Sequence, residues 1–302
     1  MARQARGRGI DGIVVVDKPG GMSSNQLRQQ VKRLYNAEKA GHTGSLDPLA
    51  TGVLPVCLGE ATKVSQYLLD ADKGYIAHVR LGATTTTGDA QGEPTGYQPV
   101  PELDHAALEV VLSAFVGDIA QEPPVYSALK QDGVPLYKLA RAGKEIRSKL
   151  RTITIHSIRL LEWQSPQLVI EVYCSKGTYI RTLAEDIGHR IGCGAHITAL
   201  RRCKAGPFTL AAAHTLENLQ ALPPAALDAV LVPADEAIAQ LPAFEIGIEQ
   251  RRRLRQGQAV QVEGGPQQEL LRVYCGGEFI GIAVILPEGV LQAVRLMQYT
   301  QA

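Results

Sequence analysis

The sequence predicts an α+β fold: a mixed, mostly antiparallel sheet flanked by helices, followed by a small β-rich second domain. Three observations carry this. Apolar strand-like runs and amphipathic helical stretches are mixed without the regular alternation of a doubly wound sheet. The 302 residues exceed the common single-domain size, and 45% hydrophobic content supplies a proper core, so one large domain plus a smaller one is expected. After an Ala-, Leu- and Pro-rich stretch at 210–242, short apolar segments at 270–275, 278–283 and 290–296 are joined by Gly276-Gly277 and Pro287-Glu288-Gly289. The expected organisation is a basic tail over residues 1–9, a main domain over 10–240 and a small domain over 243–302.

In order, 12–17 (GIVVVD) reads as a strand, followed by the turn Lys18-Pro19-Gly20-Gly21 and a helix opening near Ser24. Ser24 or Asn25 is the expected cap, and Leu27, Val31 and Leu34 share one face. Residues 53–58 read as strand and 60–70 as helix, with Val64, Tyr67 and Leu68 inward. Tyr75 to Leu81 alternates as a strand, 84–92 is a Thr, Gly and Asp loop, and 104–116 is amphipathic. Strands return at 152–162 and 168–174, before a helix over 182–191.

Composition excludes several classes. The formal charge of +1 argues neither for nor against nucleic acid. Five scattered cysteines without a C-x-x-C pair fit a reducing compartment, and residues 1–9 are basic without an apolar stretch after them. No apolar run approaches bilayer-spanning length, so a soluble cytosolic protein is expected. Gly7, Gly9 and Gly12 match G-x-G-x-x-G but precede a strand instead of following one, and no P-loop occurs. His189, Cys193, His196 and Cys203 match no common zinc spacing, so no metal is expected.

Residues 41–55 (GHTGSLDPLATGVLP) hold one carboxylate, Asp47, between Leu46 and Pro48. Pro48 biases Asp47 away from helix, and the neighbouring glycines let the backbone bend around it, so the acid is stiffly presented. Residues 121–151 carry seven positive charges (Lys130, Lys138, Arg141, Lys144, Arg147, Lys149, Arg151) against three negative, with Tyr126 and Tyr137 interleaved. Such composition suits a surface that tracks phosphates and touches bases; a solvated loop and helix is the other reading.

The stretches GIVVVDKPGGMSSN (12–25), GHTGSLDPLATGVLPVCLGEATKVSQYLL (41–69), YSALK (126–130), CSKGTYIR (174–181) and GCGAHITALRR (192–202) together resemble the TruB family of tRNA pseudouridine synthases. Their order and spacing cover most of residues 12–215. The resemblance implies a pseudouridine-synthase-like sheet with a PUA-like C-terminal domain. It also implies isomerisation of uridine to pseudouridine at position 55 in the tRNA T loop. The base leaves the ribose through its nitrogen and rejoins through carbon 5; no electrons or groups are exchanged, so no cofactor is needed.

By the same resemblance, Asp47 is the catalytic aspartate, Arg181 its guanidinium partner and Tyr75 the residue that stacks on the target base. An adjacent guanidinium is expected to lower the carboxylate's pKa. His42 enters the gap left by the flipped base; Tyr179 and Leu200 wall the pocket, and Asp89 lies in the RNA-contacting loop. That loop carries Thr86 where some members have an acid. Lys18, Lys63, Lys130, Arg201 and Arg202 are expected phosphate contacts, and 121–151 an RNA-clamping insertion. Arg251, Arg252, Arg253 and Arg255 either extend the RNA surface or solubilise a helix. The T arm of tRNA is the expected partner of a monomer with no obligate protein partner. A tRNA-folding chaperone, or a guide-dependent synthase subunit, are the other readings.

Overall fold

The computed structural model describes residues 7–127, 129–145 and 149–299. Residues 1–6 of the expected tail, Ala128, Arg147 and the side chains of Tyr137 and Arg141 lie outside the described part. The chain runs β1 (Gly12–Lys18), α1 (Ser24–Leu34), β2 (Ala40–His42), β3 (Thr51–Leu58), α2 (Ser65–Asp70), β4 (Lys73–Leu81), β5 (Ala83–Thr85), β6 (Pro94–Tyr97), α3 (His105–Ser113) and β7 (Gly117–Gln121). The basic stretch then forms a small hairpin, β8 (Lys130–Gln131) and β9 (Val134–Pro135), and α4 (Leu136–Arg141). Next come β10 (Arg151–Gln164), β11 (Gln167–Cys174), α5 (Ile180–Ile191), β12 (Ala195–Ala205), β13 (Phe208–Thr209), β14 (His214–Thr215), α6 (Leu216–Ala221) and α7 (Pro224–Ala229). The C-terminal part is β15 (Ala243–Glu245), α8 (Ile248–Arg255), β16 (Val260–Gln261), β17 (Leu270–Cys275), β18 (Glu278–Leu286) and β19 (Val290–Leu296).

The main sheet has the order β14-β1-β3-β12-β4-β11-β10-β7. Its pairs are antiparallel except β1 with β14 and β3 with β12, so the expected mixed, mostly antiparallel α+β sheet is present. β1 is a continuous apolar run because both its faces are covered. Val14 and Val16 pack with Leu27, Val31 and Tyr35. Ile13 and Val15 share a core with Val53 and Cys57, and with Phe279, Ile282 and Met297 of the C-terminal part. β4 alternates instead: Tyr75, Ala77, Val79 and Leu81 are buried with Leu183 and Ile187 of α5, while His78 and Arg80 face solvent. A second sheet, β15-β17-β18-β19-β16, forms the C-terminal unit.

Three local expectations need correction. Ser23, not Ser24 or Asn25, caps α1: its hydroxyl accepts from Gln26 N at 3.3 Å while Gln26 Oε1 accepts from Ser23 N at 2.9 Å, a reciprocal capping box. Residues 59–64 form a 3₁₀ turn before α2 instead of one helix, because Gly59 sits at φ +52° with Glu60 N held by Asp11 Oδ1 at 2.6 Å. Ala61, Val64 and Leu68 are buried all the same, which is why the apolar spacing reads as one helix. The third helix of the sheet layer is shorter than expected, starting behind an Asp104 side chain that accepts from Ala107 N at 2.7 Å.

Candidate active site

The Asp47 loop joins β2 to β3 and is pinned from below by the start of α1. Ser24 Oγ donates to Leu46 O at 2.9 Å and accepts from Leu46 N at 2.7 Å, and both residues are buried. Gly21 N donates to Pro48 O at 2.8 Å, and Ala50 N closes a turn onto Asp47 O at 3.0 Å. The residues on either side of Asp47 are therefore tied down while its carboxylate, 46% exposed, opens to a cavity.

Arg181, in the first turn of α5, faces it. Its Nε lies 3.0 Å from Asp47 Oδ2, Nη1 donates to Thr87 O at 2.9 Å and Nη2 to Tyr126 O at 2.9 Å. Nη1 also stands 3.8 Å from Asp89 Oδ2. Asp89 is itself buried and oriented, accepting from Thr87 Oγ1 at 2.7 Å and Gln91 N at 3.0 Å. The guanidinium is thus fixed on every side before any substrate arrives. The turn into α5 is held by a residue that sequence reading missed. Buried Gln121 accepts from Tyr179 N at 2.8 Å and donates to Tyr179 O at 3.1 Å.

A cavity of about 300 Å³ collects Asp47, Tyr75, Tyr179, Arg181, Leu200 and Arg202, at the small end of ligand-pocket sizes. Tyr75 comes from β4 and Leu200 and Arg202 from β12, where a register shift between Arg202 and Lys204 re-aims the strand. Arg202 lies opposite Tyr75 in one direction and Gly52 in the other. Gly52 has φ +104°, and a Cβ there would fall 2.2 Å from Arg202 O, so only glycine lets β3 and β12 meet.

Burial raises the Asp47 pKa above the ordinary carboxylate value; Arg181 and Lys18 pull it down, and the like charge of Asp89 adds to the rise. Arg181 pulls the carboxylate's pKa down as expected, and desolvation opposes it with the larger effect. Burial likewise lifts the Tyr75 phenol, with Arg202 opposing.

The expected phosphate contacts divide. Lys18 is fully buried, its ammonium donating to Pro19 O at 2.8 Å and Met22 O at 2.5 Å, and burial lowers its pKa to about 8. Arg202 is also buried, donating from Nε to Val53 O at 2.7 Å and from Nη2 to Gly44 O at 3.1 Å. Both cations are spent on backbone carbonyls: Lys18 braces the turn after β1, and Arg202 ties β12 to β3 and the Asp47 loop. Lys63 pairs with Glu60 at 2.5 Å and donates to Leu296 O at 2.8 Å, tying the first sheet layer to the C-terminal unit. Arg201 is half-exposed and bidentate to Asp17, at 2.7 and 3.2 Å; Lys130 is exposed on the insertion hairpin.

Asp89, expected in an RNA-contacting loop, instead stands behind Arg181. His42 lies outside the cavity lining, half-buried, its Nε2 3.2 Å from Ser45 Oγ. Burial and the nearby Arg28 and Arg202 keep its pKa below the ordinary value. In α8, Arg251 pairs with Glu278 and Arg252 with Glu249. Among the described residues no group of three or more His, Cys, Asp or Glu side chains is arranged to hold a metal, and no helix is long and apolar enough to cross a membrane.

The mixed sheet with its flanking helices and C-terminal unit is the fold of the pseudouridine synthases. The chain superposes on a crystal structure of a Cbf5-Nop10-Gar1 complex with TM-score 0.73 and 27% identity, covering 95% of this chain and 84% of that one. The structure of an H/ACA RNP bound to a substrate RNA containing 2'-deoxyuridine shares the fold at TM-score 0.73 and 24% identity, over 99% and 92% of the two chains.

The chain belongs to the TruB family. Residues 32–180 match the TruB family pseudouridylate synthase N-terminal domain, 181–239 a tRNA pseudouridylate synthase B C-terminal domain, and 242–297 the pseudouridine synthase II TruB C-terminal domain. It is 50% identical to tRNA pseudouridine synthase B of Chromohalobacter salexigens, over 98% of this chain and 97% of the relative. It is 52% identical to tRNA pseudouridine synthase B of Pseudomonas aeruginosa, over 96% and 97%.

Proposed function

We propose that this protein isomerises uridine to pseudouridine at position 55 in the T loop of tRNA, as a monomer in the cytosol and without a guide RNA. The observation that carries the reading is the Asp47–Arg181 pair in a cavity that Tyr75 also lines, in a chain matching tRNA pseudouridine synthases B along nearly its whole length. A stacked uridine must leave its stack to reach this carboxylate, at a cost of a few kcal/mol that pocket contacts offset. Tyr75 offers a ring face to the base and Leu200 an apolar wall.

The chemistry is balanced without a cofactor. The ribose–N1 bond breaks and the base turns about its C6–N3 axis. A ribose–C5 bond then forms, the proton on C5 leaves and N1 gains one. Asp47, ionised and aligned by Arg181, serves as nucleophile or as counter-charge to the ribose. The exposed Lys130, Lys138, Lys144 and Lys149 of the insertion, with half-exposed Arg201, supply the phosphate-tracking term. The C-terminal sheet, read as a PUA-like RNA-binding domain, extends that surface.

Incubating the purified protein alone with an unmodified T-arm hairpin tests this. Stoichiometric pseudouridine at the target position is expected. No product unless guide RNA and partner proteins are added would replace it with the guide-dependent reading, and RNA refolding without product with the chaperone reading.

A further inference from the structure

The loop that carries Thr87 and Asp89 helps to hold Arg181 in place, and its own position is set from two sides. Ala90 N donates to Ile197 O at 2.8 Å and Ile197 N to Gly88 O at 3.0 Å, so the loop is fastened to β12. A second contact, with α5, is of another kind. Gly88 has φ +69°, and a Cβ there would stand 2.9 Å from Glu185 Cδ, 2.9 Å from Oε1 and 3.1 Å from Oε2. Near-equal distances to all three atoms mean that the carboxyl lies broadside across the place of the missing side chain. Glu185 follows Arg181 by four residues and so shares its face of the helix.

Glu185 is half-buried and does not line the Asp47 cavity; it lines a separate hollow of about 520 Å³ with Thr84, Tyr97 and His189. Among the described residues its carboxyl accepts no hydrogen bond. Burial raises its pKa; Arg181 and His189 oppose the rise, and Asp186 and Asp89 add to it. The carboxyl is therefore not placed as an acceptor. It fills the gap between helix and loop one turn beyond the guanidinium. Any change in that gap moves Thr87 O, which accepts from Arg181 Nη1 at 2.9 Å, and with it the Nε that faces Asp47 at 3.0 Å.

Resting on the uridine reading above, we propose that Glu185 is a positioning residue for the isomerisation: its carboxyl, seated against Gly88, sets the spacing between α5 and the 87–89 loop and so the aim of the Arg181 guanidinium at Asp47. It lies outside the cavity, so it acts through Arg181 and not on the base. The role is one of shape: an amide of the same size serves it and a methyl group does not. Gly88 is the matching half, because a side chain at 88 and the carboxyl of Glu185 claim the same volume.

The test compares Glu185→Ala, Glu185→Gln, Gly88→Ala and the double variant carrying both alanines, in the full chain, on the unmodified T-arm hairpin. Glu185→Ala lowers kcat about tenfold, because a small misplacement of a catalytic group is costly. KM and hairpin Kd stay within about twofold, since phosphate contacts dominate affinity. Glu185→Gln keeps kcat within about threefold of the parent. Both substitutions at 185 remove the same charge, and Asp89 and Lys18, the other charges acting on Asp47, are common to both. A difference between them in the acid limb of kcat therefore reports the Arg181–Asp47 pair. Arg181 pulls the Asp47 pKa down, so the loosened pair in Glu185→Ala carries the limb to higher pH than in Glu185→Gln. In Gly88→Ala kcat falls, and adding Glu185→Ala restores part of it, since the vacated space takes the new Cβ. Glu185→Gln losing as much as Glu185→Ala overturns the proposal, as do equal acid limbs, which mark a merely structural role, or losses at 88 and 185 that simply add. If the parent protein itself makes no pseudouridine, the uridine reading fails and this one with it. An active parent with an indifferent Glu185→Ala overturns only this proposal.

Discussion

Arg181 Nε sits 3.0 Å from Asp47 Oδ2, yet the two are unequally placed: the guanidinium side chain is 7% exposed and the carboxylate 46%. The arginine is the fixed member, held by Thr87 O and Tyr126 O, and the aspartate is the member presented to substrate. Removing the arginine as Arg181→Met leaves Asp89 and two carbonyls without their donor. A loss of about 3 kcal/mol in unfolding free energy is expected, with kcat down by roughly 10²-fold or more. Chemical denaturation and single-turnover assays check the two numbers separately.

On the proposed function, the acid limb of activity belongs to Asp47, whose ionised form is the active one. Its pKa is raised, Asp89 adds to the rise and Lys18 opposes it. Asp89→Asn therefore moves the acid limb of kcat to lower pH, and Lys18→Met moves it to higher pH. The stability sign follows from linkage. A carboxylate with a raised folded-state pKa binds more protons folded than unfolded, so its ionisation lowers stability as pH rises from its unfolded pKa through its folded one. Kinetic pH profiles of the two variants giving shifts in the same direction would refute this assignment.

Ser24 spends its hydroxyl on both backbone groups of Leu46, one residue from the carboxylate. Ser24→Ala is expected to cost about 1–2 kcal/mol of stability. It also lowers kcat more than it raises KM, because the loop that aims Asp47 loosens while the RNA surface is untouched. Steady-state kinetics on the T-arm hairpin measure the split.

Gly52→Ala places a Cβ 2.2 Å from Arg202 O at a backbone φ of +104°. Substitution at such a position combines strain with a steric clash in the β3–β12 pair, so a loss of at least ~2 kcal/mol is expected. Thermal unfolding of this variant beside Gly177→Ala, whose glycine has positive φ but open space around it, separates clash from backbone strain.

Much of this site was legible in the residues themselves. The Leu46-Asp47-Pro48 setting marks a presented acid, and the strand alternation of Tyr75 to Leu81 places the tyrosine on the buried face. The order of the motifs brings Arg181, Tyr179 and Leu200 to the same place. What was not legible depends on long-range pairing. Lys18 and Arg202 read as cations available to phosphate, because charge type alone does not say whether an ammonium meets solvent or a carbonyl. Their burial follows from the Gly20-Gly21 turn and from the β3–β12–β4 register. Gln121 and Ser24 carry no distinguishing local pattern, and each acts on a residue 22 or more positions away. The desolvation that outweighs the Arg181 ion pair is likewise a property of the assembled cavity.

If the isomerisation depends on Asp47, Asp47→Asn abolishes it, with product and RNA affinity measured on the same unmodified T-arm hairpin. The isosteric amide keeps the loop and removes the charge. No detectable pseudouridine is expected, with hairpin Kd unchanged within about twofold. Pseudouridine formed at the parent's rate would contradict it.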